Sequence, residues 1–277
     1  MQKIIMTEDM IEKAAPEWAV PSYDTVEISP RRNRYCVCVP VINEGDRIRR
    51  QLTRMKMDGI FREADILILD GGSSDGSVEQ NFLREARVSS LLIKTGPGKL
   101  SAQLRMGYSY ALLKGYEGII TVDGNGKDGT SAIVEFIRKL GEGFDFVQGS
   151  RHLPGGRAVN TPVIRDLAVR LIHSPIISLA AGFRFTDTTN GFRAYSRRVL
   201  LDPMIAPFRE VFSTYELLAY LSVRIPRLGY KTIEVPVSRK YPPAGRIPTK
   251  ISFLKGNLDL LKILFMAASG KYDPPVE

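Results

Sequence analysis

The 277-residue sequence is poor in the residues that cross-link or metallate a fold: it has two cysteines, two histidines and one tryptophan. Cys36 and Cys38 lie together in "YCVCVPV". In a strand they point to one face, and they read as small core residues. Without a CxxC pair and with so few histidines, a zinc site has little support. Long apolar runs are missing too. The longest uncharged stretch, "LIHSPIISLAAGF" (171–183), falls short of the roughly 20 residues that a spanning helix needs. "MQKIIMTEDMIEK" at the N-terminus is broken by charges and lacks the apolar centre of a signal peptide. No repeat, low-complexity tract or heptad pattern is seen. No GxGxxG follows the first apolar run, and no GxxxxGK[ST] occurs anywhere, so hydride transfer and P-loop chemistry lose support. The expectation is a cytoplasmic protein, peripheral at the inner face of a membrane, with no transmembrane segment.

What is present is a surplus of positive charge, +9, on an otherwise ordinary chain of 44% hydrophobic residues that can bury a real core. Such a balance favours acidic partners. The basic residues are dispersed and no nucleic-acid signature accompanies them, which points to anionic lipid or phosphorylated small molecules.

Residues 1–33 read as an N-terminal extension in which "PSYDTVEISPRRNR" looks irregular. From residue 34 a repeating order begins. "YCVCVPV", "ADILILD", "VSSLLIK", "GIITVD" and "FDFVQGS" are short apolar strands. Between them lie the helical patterns "EGDRIRRQLTRM", a helix over about 76–86 capped by "GGSSDGS", "KLSAQLRMGYSYALLKG" and "GTSAIVEFIRKLGEG". This alternation predicts an α/β protein with a mostly parallel central sheet flanked by helices. Beyond residue 150 the order loosens. "VIRDLAVRLIHSPIISLAAG" is a helix interrupted at Pro175, "DTTNGFRAYSRRVL" a loop, strand and turn, and "TYELLAYLSVRIPRLG" a helix stopped near Pro226. "KTIEVPVSRKY" is a strand and "PTKISFLKGNLDLLKILFMAAS" a long amphipathic helix. We take 34–270 as one domain, with a nucleotide half (34–150) and an acceptor half (151–270).

Parallel sheets bind ligands at the C-terminal ends of their strands. Asn43 and Glu44, Asp70 and Asp123 all fall at such ends. Each also reads as a turn or cap residue, as does Asp75, but three strand ends delivering polar groups to one rim is the stronger signal. Hard carboxylate and amide oxygens there suit Mg²⁺ or Mn²⁺ bridging a diphosphate.

The motifs "VPVINEGDRI", "ILILDGGSSDGS", "GPGKLSAQLRMGYSYA", "TVDGNGKDG" and "DFVQGSRH" resemble, in order, those of family 2 glycosyltransferases of the GT-A fold. "DTTNGFRAYSRRVL", "YELLAYLSVRIPRLGYKTIEVPVS" and "ISFLKG" are similar to dolichol-phosphate mannosyltransferases and their bacterial polyprenyl-phosphate relatives. The resemblance implies a nucleotide-sugar site at Pro40, Glu44, Asp70, Lys99, Asp123, Asn125, Asp187 and Asn190, with Gly191 in the same loop as the last two. It implies a metal at Asp123 and Asn125, catalytic roles for Asp123, Arg151 and Glu216, and an acceptor phosphate held by Arg151, Arg165, Arg239 and Lys250. The sequence departs from the family at Ile42, at Gly71 and in "DGN", where the usual second aspartate is Asn125. Lys127 stands where the branch often has a further metal ligand.

The activity implied is transfer of a hexose from a nucleotide-diphosphate sugar to polyprenyl phosphate. A phosphate acceptor is already ionised near neutral pH and needs cations to hold it, whereas a hydroxyl acceptor needs a base. Arg151, Arg157, Arg165, Arg239, Lys240, Arg246 and Lys250 lie in the acceptor half. The alternatives are a soluble transferase acting on a saccharide hydroxyl, with Glu216 or Asp187 as base, and a non-catalytic nucleotide-sugar-binding protein.

Overall fold

"YCVCVPV" and "DILILD" form the centre of the molecule, as strands β2 (Tyr35–Val41) and β3 (Asp65–Asp70) of one sheet. Neither has a polar face, because both faces are covered. Leu67 and Leu69 of β3 enter one hydrophobic layer with Cys36 and Cys38, while Ile66 and Ile68 enter the other with Val37, Val39 and Val41. Both cysteines are free and buried. The computed structural model describes residue 13, residues 15–242 and residues 255–275.

Among the described residues the strands are completed by β1 (Tyr23–Glu27), β4 (Ser90–Lys94), β5 (Gly118–Thr121), β6 (Phe146–Ser150), β8 (Arg193–Ser196) and β9 (Thr232–Pro236). The sheet runs β1-β4-β3-β2-β5-β8-β6-β9. β1 and β8 are antiparallel to their neighbours and the rest are parallel. A separate parallel pair joins β7 (Arg157–Val159) to β10 (Ser238–Lys240). One face carries α1 (Asp46–Met57) and α4 (Ile133–Gly141). The other carries α3 (Leu100–Leu113), α6 (Ser174–Ala181), the short α7 (Arg197–Leu200), α8 (Glu216–Arg227) and α9 (Lys255–Ala268). Each fully buried aliphatic side chain in these layers contributes about 1.5–3 kcal/mol.

Three local expectations change. Tyr23–Glu27, read as irregular, is an edge strand with Tyr23 opposite Lys94 and Glu27 opposite Ser90. Its sequence hides this because an edge strand half in water needs little apolar content; its backbone covers the open side of β4. The helix expected over 76–86 is only α2 (Gln80–Glu85). The Glu79 carboxylate caps it by accepting from the backbone N–H of Asn81 (2.8 Å) and Phe82 (2.9 Å). The interruption expected at Pro175 lies one turn earlier: α5 (Val163–Ala168) leads through a π turn, Val169–His173, into α6. Pro175 has no N–H for the carbonyl four residues back, and the ladder widens upstream of it. As expected, α8 stops near Pro226, which lies in its last turn before the end at Arg227.

Candidate active site

The parallel strands direct their C-terminal ends to one rim. α3, buried nearly all round, ties that rim together: Gln103 Nε2 donates to the carbonyls of Val41 and Leu69, 3.0 Å each. Past β5 the chain stays beside β2, with Val122 N–H on the Cys38 carbonyl and Gly124 N–H on that of Pro40, and so delivers Asp123 to the rim. Gly191 packs against it. A Cβ on Gly191 would lie 2.5 Å from Asp123 Oδ1, so only glycine fits.

Arg239 joins this corner. Its Nη2 donates to Asp123 Oδ2 at 2.9 Å and its Nη1 to Asp128 Oδ2 at 2.6 Å. Arg239 and Lys127 are each only 8% exposed. The Lys127 ammonium lies 4.9 Å from the centre of the Tyr241 ring, and Arg165 Nη1 donates to the Tyr241 hydroxyl at 3.0 Å. The electrostatics follow from this crowding. Burial pushes the Asp123 carboxyl up, but Arg239 and then Lys127 outweigh it and hold it below its ordinary value. Asp128, fully enclosed, is pushed up to about 6 by burial and by Asp123, against Arg239. Burial and Arg239 lower Lys127. Burial would raise the Tyr241 phenol, yet Arg239, Arg165 and Arg151 together lower it.

Arg151, next to Ser150 at the end of β6, is also buried. Its Nε and Nη2 grip Asp187 at 2.6 and 2.9 Å, and Nη2 also donates to Thr189 Oγ1 at 2.9 Å. Asp187 is positioned from behind by Glu234 of β9, which accepts from the backbone N–H of Asp187 (3.1 Å) and Thr186 (2.8 Å). The next residue but two, Asn190, is 1% exposed, and its side-chain Nδ2 has no hydrogen-bond partner among the described residues. A buried amide donor left open at this rim can serve a bound ligand.

The other expected residues surround this corner at different depths. Asp70 is buried and accepts from the N–H of Gly72 and Ser73 and from the Ser73 hydroxyl, so both its oxygens are engaged within its own turn. The Glu44 carboxylate pairs with Arg47 at 2.8 Å, and Ser77 Oγ accepts from the N–H of Glu44 and Gly45. Pro40 contributes the carbonyl that anchors Gly124. Lys99 is exposed just before α3, its N–H on the Ser213 carbonyl. Glu216 opens α8 and binds the backbone N–H (2.7 Å) and hydroxyl of Thr214. The structure thus gathers Asp123, Asn125, Arg165 and Arg239 in one cluster, with Arg151, Asp187 and Asn190 beside it. Glu216 and Lys99 belong to a second group around Ser213 and Thr214. Lys250 and Arg246 lie outside the described residues. Asp128, Tyr241, Thr189 and Glu234 had been given no role. Tyr241, an aromatic directly after Arg239-Lys240, and Asp128, inside "TVDGNGKDG", were the visible signals.

The donor set at Asp123 does not fit a divalent cation in this arrangement. Asn125 turns its Nδ2 towards Asp123 Oδ2 (3.3 Å) while its Oδ1 accepts from the Lys127 N–H (3.3 Å). One oxygen of Asp123, Oδ2, already receives a guanidinium. Among the described residues no three His, Cys, Asp or Glu side chains converge as metal ligands would.

Outside the cluster, α5 to α6 present Val163, Ile164, Leu167, Leu171, Ile172 and Leu179 to solvent, between 41% and 88% exposed. Among the described residues no helix is long and apolar enough to cross a membrane.

The mostly parallel sheet with its polar rim is the GT-A architecture of nucleotide-sugar transferases, and the chain is a glycosyltransferase. It is 28% identical over 211 residues to undecaprenyl-phosphate mannosyltransferase of Micrococcus luteus, covering 74% of this chain and 83% of that one. It is 24% identical over 218 residues to polyprenol monophosphomannose synthase of Mycolicibacterium smegmatis, covering 78% and 80%. The crystal structure of glucosyl-3-phosphoglycerate synthase from Mycobacterium tuberculosis with Mn²⁺, UDP-glucose and phosphoglyceric acid superimposes with a TM-score of 0.54. That match is 12% identical over 99% of this chain and 87% of the other, a likeness of fold. No protein-family model matches the chain.

Proposed function

We propose that this chain transfers a hexose from a nucleoside diphosphate sugar to polyprenyl phosphate at a membrane surface. The observation that carries the reading is the juxtaposition of the Arg165 guanidinium with an exposed apolar helix. Arg165 stands on α5 with its guanidinium on Tyr241, beside Lys127 and Arg239. Its neighbours Ile164 and Leu167 point to solvent. A phosphate held by Arg165 would have its lipid tail along α5 and α6. The curated relatives, named for mannosyl transfer involving undecaprenyl phosphate and polyprenol, support the same acceptor class.

In this reading Asp123 and Asn190 border the donor sugar, with Asn190 Nδ2 as an open donor. Glu44, Asp70, Lys99 and Pro40 frame the nucleotide through the loops they order. Arg165, with Arg151 behind it, faces the acceptor phosphate. An ionised phosphate attacks the anomeric carbon directly, so no protein base is required. A hydroxyl acceptor is disfavoured because its two nominated bases are engaged: Asp187 by Arg151 and Glu216 by Thr214.

The test is product analysis after incubation with UDP- and GDP-sugars and polyprenyl phosphate. A glycolipid is the expected product. Sugar transfer seen only when a free saccharide is added would overturn the reading.

A further inference from the structure

We infer that the chain's own Arg239 and Lys127 provide the positive charge at the diphosphate corner, so that nucleotide binding and sugar transfer proceed without a divalent cation. The inference rests on the glycosyltransferase reading above. Asp123 and Asp128 already share the Arg239 guanidinium, and the Lys127 amine and the Arg165 guanidinium stand beside them against Tyr241. Cationic side chains thus occupy the place beside these carboxylates before any metal is added.

The geometry gives the same answer. Arg239 bridges the two carboxylates with separate nitrogens, at 2.9 and 2.6 Å, and is nine-tenths buried. A cation bound to Asp123 would share the carboxylate with that guanidinium, which already holds Oδ2. Like charges so close in a partly dry site repel strongly. Asn125, in place of a second carboxylate, has its carbonyl oxygen on the Lys127 N–H and its amide nitrogen towards Asp123. Lys127, a donor only, is held over the Tyr241 ring. β10 places Arg239 beside Asp128 through a direct strand bridge, so the guanidinium is built into the backbone framework.

The transfer balances with these groups alone. The acceptor phosphate oxygen forms a bond to the anomeric carbon. The bond from that carbon to the β-phosphate oxygen breaks, and its electron pair leaves on the nucleoside diphosphate. The leaving group gains one negative charge, the acceptor loses one, and no proton need move. Arg239 and Lys127 lie where that leaving charge develops, held in advance by packing and ion pairing.

The test is the affinity of the full chain for UDP and GDP by calorimetry, in EDTA and with Mn²⁺, together with transfer assayed under both conditions. The expected result is affinities within about two-fold of one another and transfer that persists in EDTA. The double variant Asn125→Asp/Lys127→Gln, checked for its fold by circular dichroism, should gain Mn²⁺: bound ion seen by paramagnetic resonance, and nucleotide affinity raised about ten-fold by the metal. A wild-type affinity that falls ten-fold or more in EDTA, on the order of 1.4 kcal/mol, overturns the inference while leaving the glycosyltransferase reading intact. A double variant indifferent to Mn²⁺ overturns the assignment to these side chains. Nucleotide binding under neither condition removes the underlying reading, and the inference with it.

Discussion

The Arg151–Asp187 pair allows structural support to be separated from chemistry. The side chains are 3% and 0% exposed and joined by two bonds, at 2.6 and 2.9 Å. Burial alone would push the Asp187 carboxyl up; Arg151 reverses this and holds it below its ordinary value. Asp187→Ala leaves a buried guanidinium unpaired, which costs about 3–5 kcal/mol, and Arg151→Met leaves a buried carboxylate at a similar cost. For a chain of this size the loss corresponds to a melting temperature lower by roughly 6–20 °C. The double variant Arg151→Met/Asp187→Leu leaves no charge behind. Its remaining cost is the orphaned N–H of Arg151 and of Thr189, which Asp187 had accepted, on the order of 1–3 kcal/mol each. The double variant should thus be more stable than Asp187→Ala, which carries both costs, in urea titrations of all three variants against the wild type. Costs that simply add, with coupling below about 0.5 kcal/mol, would refute the reasoning. The same double variant then decides chemistry: a folded protein with near-normal turnover removes Arg151 from the acceptor site, and a folded but inactive one keeps it there.

Gly191→Ala places a methyl 2.5 Å from Asp123 Oδ1 and should destabilise the chain by about 1–3 kcal/mol with weaker nucleotide binding; unchanged urea midpoints and affinity would argue against that contact. Ile164→Glu/Leu171→Glu, on exposed positions, should leave the melting temperature within about 2 °C yet abolish flotation with anionic liposomes, and flotation equal to wild type would count against α5 to α6 as the lipid-facing surface. Burial, and then Arg165, lowers His173 below its ordinary value near 6.5. The unfolded chain then binds the extra proton more readily, so this contribution is intact above about pH 6.5 and is lost as pH falls below it. His173→Gln should lose less stability than wild type between pH 7.5 and 5.5, roughly the range where histidine titrates, and parallel losses would refute the assignment. Phe136→Ala removes a ring stacked 4.3 Å from Phe192 between α4 and the approach to β8, and should cost about 3–5 kcal/mol by urea titration.

Much of the scaffold was legible from local pattern. An all-apolar run such as "ILIL" within β3 has no use except between two layers, and both its faces are buried. Residues delivered by strand ends were equally legible, since a parallel sheet brings its C-terminal ends to one rim. Asn43, Glu44, Asp70 and Asp123 do lie along it. Less readable was the antiparallel β8 between β5 and β6, because "RAYS" pairs with partners more than forty residues away on either side. The π turn was invisible for another reason: α-helical and π-helical residues share one apolar pattern, and only the hydrogen-bond ladder separates them.

At the site the division is sharper. Residue types and their order in "TVDGNGKDG" determined that a carboxylate would stand at the end of β5, with an amide and a lysine after it. They also determined that the rim would be less acidic than a pair of aspartates makes it. Only the tertiary structure decided what meets that carboxylate. Arg239 lies 116 positions away along the chain and reaches Asp123 because β10 bridges to Asp128. Sequence spacing specifies contacts within a helix turn or along a strand; a pairing across that distance exists only once the sheet, the β7–β10 ribbon and α5 have closed around Tyr241.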